Sequence, residues 1–176
     1  MIFWHLGITV AIVRYVFRDP NMDLRWVLFG SLLPDIIDKP IGSIFFHDTF
    51  GTHRLFAHAL VFPVALLAAT MVATRRGTVG RRAAIGVVIG CFIHLLLDGV
   101  WTGPETFLWP FFGTEFPRVA GSEFGTLVAD MIRSPFVWAG EALGLGHLGY
   151  LWRKYLGNRG DLNRFRRDGR IPMPTA

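Results

Sequence analysis

Hydrophobic residues fall into five long runs separated by polar or irregular segments. The runs cover roughly residues 2–17, 24–37, 55–74, 83–101 and 126–152. None shows a strict apolar–polar alternation over several residues, so the pattern predicts helices rather than strands. The third and fourth runs approach the ~20 residues that a helix needs to cross a bilayer, whereas the first two are shorter. We expect an all-α protein, an integral membrane bundle of about five apolar helices.

Proline and glycine residues mark the breaks between the runs. Pro34 predicts that the second run ends or kinks there, because proline lacks the N–H group that a helix interior needs. Residues 102–125 are rich in Gly, Pro and Phe, which predicts an irregular aromatic loop between helices four and five. We expect residues 1–156 to form a single helical membrane domain, followed by a basic, mobile C-terminal tail at 157–176.

The composition is typical of a membrane protein rather than of a soluble domain. Of the 176 residues, 52% are hydrophobic and 18% are charged. A soluble domain has about 25% charged residues, so this chain has too few to solvate an ordinary surface. The single cysteine, Cys91, excludes an internal disulfide and a cysteine-rich zinc module.

The positive charge is concentrated in two places. A net charge of +5 could indicate a nucleic-acid partner, but the basic residues are grouped as in the cytoplasmic loops of membrane proteins. We therefore expect the lipid bilayer as partner and no nucleic acid, and the oligomeric state stays open. Five crossings of the inner (plasma) membrane then place the C-terminus in the cytoplasm. The groups are Arg75, Arg76, Arg81 and Arg82 in one loop, and seven basic residues from Arg153 to Arg170.

Histidine and aspartate side chains lie inside or beside the apolar runs, where an ionisable group is costly. His94 and Asp98 are four residues apart and share one helical face. Taken alone, this pair is explained equally well by a metal site and by a hydrogen bond that ties helices together. The other members of the set are His5, Asp35, Asp38, His53 and His58.

Four of the runs carry these side chains at one level of the expected bundle. At ~1.5 Å per residue, His94 and Asp98 lie roughly 18 and 24 Å along their helix from the arginine loop. His58 lies roughly 24 Å along the facing helix from the same loop. Asp35 is near the outer end of the second run and His5 near the outer start of the first. A shared level favours a metal site, on the extracytoplasmic side and away from the arginines.

An ordered set of short motifs resembles a known family. Over roughly residues 1–112, the chain resembles the bacterial and archaeal inner-membrane metal-dependent hydrolases, also described as LexA-binding membrane hydrolases. That family is distantly similar to zinc-dependent phospholipases C and single-strand nucleases, helical enzymes whose clustered zinc ions cleave phosphoesters. The motifs are His5, Leu32-Leu33-Pro34-Asp35-Ile36-Ile37-Asp38, His53-Arg54 with His58, His94-Leu-Leu-Leu-Asp98, and Leu108-Trp109-Pro110-Phe111.

The resemblance implies a set of metal ligands. The chain departs from the family pattern at Leu55-Phe56-Ala57 after the His-Arg pair and in the spacing at Thr102-Gly103. Because it has only six histidines, too few for the full ligand set of the soluble relatives, the resemblance implies one or two ions rather than three. The implied ligands are Asp35, His53, His94 and Asp98, with His5, Asp38 and His58 as further candidates.

These observations predict a membrane-bound metal-dependent hydrolase. The mixed His and Asp ligands favour Zn²⁺, with Mn²⁺ or Mg²⁺ as alternatives, and a zinc ion lowers the pKa of a water molecule that it binds. A second ion would neutralise charge on phosphoryl oxygens. We expect Asp38 to take a proton from the water and Arg54 to hold a phosphate oxygen. A site beside the aromatic loop suits a phosphoester in an amphiphilic, phospholipid-like substrate.

Two other classes of function stay open at this point. In the first, the protein is not an enzyme, and a structural metal or a His/Asp network fixes helix packing; such a site would be closed by four protein ligands. In the second, the protein is a metal-ion transporter, because intramembrane His and Asp pairs also mark ion paths. A transporter needs ligands spread through the membrane depth, whereas those of this chain fall at one level.

Overall fold

A computed structural model describes residues 1–172, and every regular element in that range is helical. The predicted all-α class is therefore confirmed for this part of the chain. π-Helical turns continue α1, α2 and α8, and 3₁₀ turns lie at Phe56–His58 and Val100–Thr102. The α-helices are α1 Ile2–Ile12, α2 Leu24–Pro40, α3 His47–Phe50, α4 Val61–Ala73, α5 Val79–Leu97, α6 Pro104–Phe107, α7 Phe124–Arg133, α8 Pro135–Leu151 and α9 Arg159–Asp168.

Two helix boundaries differ from those that the sequence predicts. Helix α2 continues through Pro34 to Pro40, because its packing in the bundle outweighs the hydrogen bond that the proline cannot make. The fifth apolar run is two helices instead of one. Ser134 is extended and caps α8 by accepting from the N–H of Val137, and Pro135 occupies the first turn. A proline there suits a helix start but prevents α7 from continuing.

Among the described residues, α2 and α5 share the most extensive helix contact, and two glycines allow it. A Cβ atom on Gly30 would lie 2.1 Å from the carbonyl oxygen of Val87, and one on Gly90 would lie 2.2 Å from that of Val27. The two backbones therefore touch directly. The contacts advance along both helices in the same sense, so α2 and α5 run parallel.

Helices α1 and α8 pack through a second glycine contact. A Cβ atom on Gly144 would lie 1.9 Å from the carbonyl oxygen of Phe3. The side chain of Glu141 accepts a hydrogen bond from the N–H of Phe3 at 2.8 Å, so the carboxylate that lies mid-run satisfies an exposed donor at the start of α1. Small residues thus serve close helix packing, as in membrane bundles.

The segment after residue 156 folds back onto the bundle. Ile171 is buried in a core cluster with Val10, Leu24 and Leu151. The buried Arg14 donates to the carbonyl oxygen of Pro172 at 2.7 Å. The domain boundary at residue 156 stays a prediction, and residues 173–176 of the predicted mobile tail lie outside the described residues.

The length of the helices bears on the predicted membrane spans. Among the described residues, Val79–Leu97 is long and apolar enough to cross a membrane by length and composition, whereas Ile2–Phe17 and Val61–Ala73 are apolar but shorter. Many large apolar side chains face outward, for example Val72 and Phe136, which are 89% and 84% exposed. The five-span arrangement and its orientation stay predictions.

Substituting Gly90 tests the contact between α2 and α5. We expect Gly90→Ala to lower the melting temperature in detergent by several degrees, because overpacking costs roughly 1–3 kcal/mol. Gly80→Ala in the same helix is the control, since a Cβ atom there meets nothing within 4 Å. Equal melting temperatures for the two variants would contradict the direct backbone contact.

Candidate metal centre

Four acidic and histidine side chains converge from three parts of the chain. Asp35 comes from α2, His58 from the 3₁₀ turn before α4, His94 from the end of α5, and Asp98 from the residue that follows α5. One ligand atom of each lies within 4.8 Å of the others. This group of four could hold a metal ion.

The distances within the group match the spacing of ligands around one ion. The Nε2 atom of His58 is 3.3 Å from Nε2 of His94 and 3.4 Å from Oδ1 of Asp35. Oδ2 of Asp98 is 3.7 Å from Nε2 of His58 and 4.0 Å from Nε2 of His94. Four ligands at ~2.0–2.1 Å from a tetrahedral ion are about 3.3 Å apart. The pairs of His58 with His94 and with Asp35 already have this spacing, whereas Asp98 would have to move closer to the two imidazoles to bind the same ion.

The far side of each imidazole ring fixes which nitrogen faces the centre. Nδ1 of His58 is 2.7 Å from Oδ2 of Asp38, and Nδ1 of His94 is 2.7 Å from the carbonyl oxygen of Ser31. Carbonyl and carboxylate oxygens only accept hydrogen bonds, so both Nδ1 atoms carry the proton. In a neutral imidazole, Nε2 then presents a lone pair to the centre, which is the arrangement found in metal-binding histidines.

Asp38 orients His58 and is not free for the role predicted for it. Its side chain is fully buried. Its oxygens accept from the N–H groups of Leu55, Ala57 and His58 at 2.8, 3.1 and 3.0 Å, and from the His58 ring. These hydrogen bonds hold residues 55–58 around the carboxylate. Because both oxygens are occupied and solvent is excluded, the environment does not suit the predicted proton acceptor.

His5 lies beside the group rather than in it. Its ring stacks on His94 with centroids 4.4 Å apart, and its Nε2 atom is 3.1 Å from Oδ1 of Asp98. Asp98 thus presents one oxygen to the centre and the other to His5. The predicted ligand His5 therefore contacts His94 and Asp98, two members of the group, and is not itself a member.

The structure separates His53 from Arg54, its neighbour in the sequence. His53 stays outside the group of four, and burial, followed by the charge of Arg54, lowers its pKa to about 4. Arg54 reaches the site, where its Nη2 atom is 3.2 Å from both the carbonyl oxygen and Oδ2 of Asp98. Of the predicted metal ligands, the group contains Asp35, His58, His94 and Asp98, and it leaves out His5 and His53.

Lys39 also lies at the site, although the sequence did not predict it. Its Nζ atom forms an ion pair with Oδ2 of Asp35, which leaves Oδ1 facing the centre. The spacing of four residues between Asp35 and Lys39 was a usable signal. No pattern in the sequence could reveal the carbonyl oxygen of Ser31 as the partner of His94, since every residue carries one.

The donor set fits a divalent cation. Oδ1 of Asp35 is buried and has no hydrogen-bond donor among residues 1–172. It faces two imidazole lone pairs and a second carboxylate, so four electron-rich atoms share one small space. A +2 ion at their centre would balance the two carboxylates and satisfy all four atoms.

A protein family matches most of the chain. The model of the family described as YdjM inner membrane protein matches residues 1–155. Searches of curated proteins and of solved structures give no significant match.

Metal content distinguishes Asp98 from acidic residues elsewhere. We expect Asp98→Asn to lower the zinc that copurifies with the protein, because the group loses one anionic ligand. Glu105→Gln, at an exposed position of α6, is the control and should keep the wild-type zinc content. Elemental analysis of the wild type and the two variants measures the bound zinc. An equal zinc content in all three proteins would show that Asp98 is not a ligand.

Metal affinity tests the role of Asp38 in orienting His58. We expect Asp38→Asn to weaken zinc binding roughly 10–100-fold, because the amide no longer fixes the tautomer of His58. A competition titration with a chelator measures the affinity. Asp48→Asn is the matched control, since that side chain is fully exposed. An unchanged affinity in Asp38→Asn would contradict the role.

Proposed function

We propose that this chain, which belongs to the YdjM inner membrane protein family, is a membrane-bound metal-dependent hydrolase. Its proposed substrate is a phosphoester in an amphiphilic, phospholipid-like molecule. Membership of an inner-membrane family, which the motifs implied, supports association with the lipid bilayer. The family's name describes neither hydrolysis nor LexA binding, so the first is our proposal and the second stays a prediction.

The observation that carries the proposal is the pair of buried imidazoles whose Nε2 atoms face each other at 3.3 Å between two carboxylates. Each ring is held in that orientation by an acceptor on its far side. The mixed imidazole and carboxylate ligands favour Zn²⁺, and Mn²⁺ and Mg²⁺ are alternatives. When bound, such an ion would lower the pKa of a water molecule and polarise a phosphoryl oxygen.

The residues around the group support a phosphoester as substrate. The side chains of Asp35 and Asp98 are 15% and 16% exposed, so the group reaches the surface there. Lys39 and Arg54 are a third or more exposed and lie beside these two carboxylates. Two cations at the open side of an anionic group would attract a phosphate and hold its oxygens, Arg54 through its planar fork.

We propose a proton acceptor other than Asp38, the residue that the sequence predicts. Asp38 is enclosed, whereas Asp98 lies at the accessible side of the group. Its Oδ1 atom is 3.1 Å from Nε2 of His5, a distance at which the two groups can share a proton. We assign proton transfer to this pair in place of Asp38.

The orientation in the membrane is part of the proposal. The metal group lies at one end of α5 and the arginine loop at the other, about 18 Å apart along the helix from Arg82 to His94. Basic loops favour the cytoplasm. The proposed site therefore faces the extracytoplasmic side of a multi-pass inner-membrane protein whose C-terminus is cytoplasmic.

One observation favours a second candidate, a structural metal in a protein that is not an enzyme. The group supplies four protein ligands, and structural zinc sites are closed by four, whereas catalytic sites keep a position open. A catalytic zinc here must add water as a fifth ligand, or the ion must be Mn²⁺ or Mg²⁺, which take more ligands. A metal transporter has less support, because the ligands form one cluster at one level.

Substitution of Arg54 separates the two candidates. We expect Arg54→Gln to keep the metal and the melting temperature but to lower hydrolysis of an amphiphilic phosphoester roughly 10²–10³-fold, the usual effect of losing one donor to a charged transition state. Rates in detergent micelles measure it. Arg133→Gln, an exposed arginine on α7, is the control and should leave the rate unchanged.

The outcome that contradicts hydrolysis involves the wild-type protein and His94→Ala. If the wild type cleaves no phosphoester in a panel with Zn²⁺, Mn²⁺ or Mg²⁺, and His94→Ala lowers the melting temperature, the metal is structural. The hydrolase proposal expects His94→Ala to abolish activity in a protein that stays folded and membrane-inserted.

A further inference from the structure

A cavity lies at the end of the molecule opposite the metal group. Its volume is about 210 Å³, and its walls come from the starts of α2 and α5 and from the segment around the end of α9. Four arginines line it against two aspartates, a net charge of +2. The arginines are Arg25, Arg82, Arg167 and Arg170.

The segment after α9 is held in place by Gly169. This residue has a φ angle of +69°, which favours glycine, and a Cβ atom on it would lie 1.7 Å from Oδ1 of Asp23. Its carbonyl oxygen accepts from the N–H of Leu24 at 2.9 Å. The guanidinium of Arg25 also donates to the carbonyl oxygen of Arg166. The third wall of the cavity is therefore a fixed part of the fold.

In the part of the chain that the structure describes, one of the four arginines that line the cavity is paired with an aspartate, and the other three are not. Arg25 binds Asp23 through two hydrogen bonds of 2.9 and 2.6 Å, so this pair is neutral. Within residues 1–172, the side chains of Arg82, Arg167 and Arg170 have neither an ion pair nor a hydrogen bond, and Nε of Arg170 is buried. A buried donor without a partner is unfavourable. Asp168, the other acidic residue of the lining, accepts a hydrogen bond from the backbone N–H of Arg170 at 3.1 Å. The cavity thus presents three guanidinium groups and one carboxylate to a ligand.

The helices add to the positive potential of the cavity. Because α2 and α5 run parallel, the positive ends of both helix dipoles point to this end of the molecule. Trp26, Val79 and Ala83 form an apolar side of the cavity, and Trp26 is 42% exposed. Tryptophan beside arginine is typical of the boundary between lipid headgroups and acyl chains.

We propose that this cavity binds a phosphate group, and that in the membrane the phosphate belongs to the headgroup of an anionic lipid. Three guanidinium groups match the oxygens of a phosphate, and the Trp26 side of the cavity suits the start of an acyl chain. The site lies about 18 Å along α5 from His94. It does not depend on the hydrolase proposal, since none of its residues belongs to the metal group.

Lipid-dependent melting of the full chain in nanodiscs tests the site. We expect phosphatidylglycerol to raise the melting temperature of the wild type above that in pure phosphatidylcholine by roughly 3–6 °C, the shift for a ligand tenfold above its dissociation constant. Arg82→Gln/Arg167→Gln should lose this difference. Arg76→Gln is the control, because it removes an exposed charge from the same end of the molecule without touching the cavity.

A second arm identifies the source of the phosphate. Inorganic phosphate added to the protein in phosphatidylcholine nanodiscs should leave the melting temperature unchanged. A stabilisation by inorganic phosphate that the double variant loses would support the site but assign it to a soluble anion. If phosphatidylglycerol stabilises the double variant as much as the wild type, or stabilises neither, the proposal is wrong.

Discussion

The direct contact between the backbones of α2 and α5 is the constraint on which the site depends. Gly30 and Gly90 leave no room for a side chain between the two helices. Ser31 follows Gly30 in α2, and His94 lies one turn after Gly90 in α5. Because the helices touch at the two glycines, the carbonyl oxygen of Ser31 lies 2.7 Å from Nδ1 of His94. This single hydrogen bond sets the ring so that Nε2 faces Asp35, the next residue on the same face of α2. The parallel pair also brings both helix starts to the basic cavity at the other end.

The second part of the site is a loop organised by one carboxylate. Asp38 takes three N–H groups from residues 55–58 and the ring of His58. A buried carboxylate is costly unless it is fully hydrogen-bonded, and here it is. Because α2 continues past Pro34, Asp38 lies one turn beyond Asp35, and the loop that it gathers places His58 opposite His94. The helix pair and the loop thus form one unit, to which Lys39 and Arg54 add the positive rim.

Much of this arrangement could be predicted from the sequence, and the misses have physical causes. The all-α class follows from the apolar runs, and the spacing of four residues correctly paired His94 with Asp98. The choice between His53 and His58 could not be made, because it depends on backbone hydrogen bonds to Asp38 from a loop without periodicity. The end expected at Pro34 reflects local propensity, which tertiary packing overrides. The end of one helix and the start of the next at Ser134-Pro135 could have been predicted, since Ser-Pro is a favourable helix start.

X-ray absorption at the zinc edge tests whether two imidazoles and two carboxylates hold one divalent cation. For the purified, zinc-loaded protein, we expect only nitrogen and oxygen neighbours at ~2.0–2.2 Å, with more distant scattering from two imidazole rings. A sulfur neighbour at ~2.3 Å, or a shell without imidazole scattering, would contradict this arrangement.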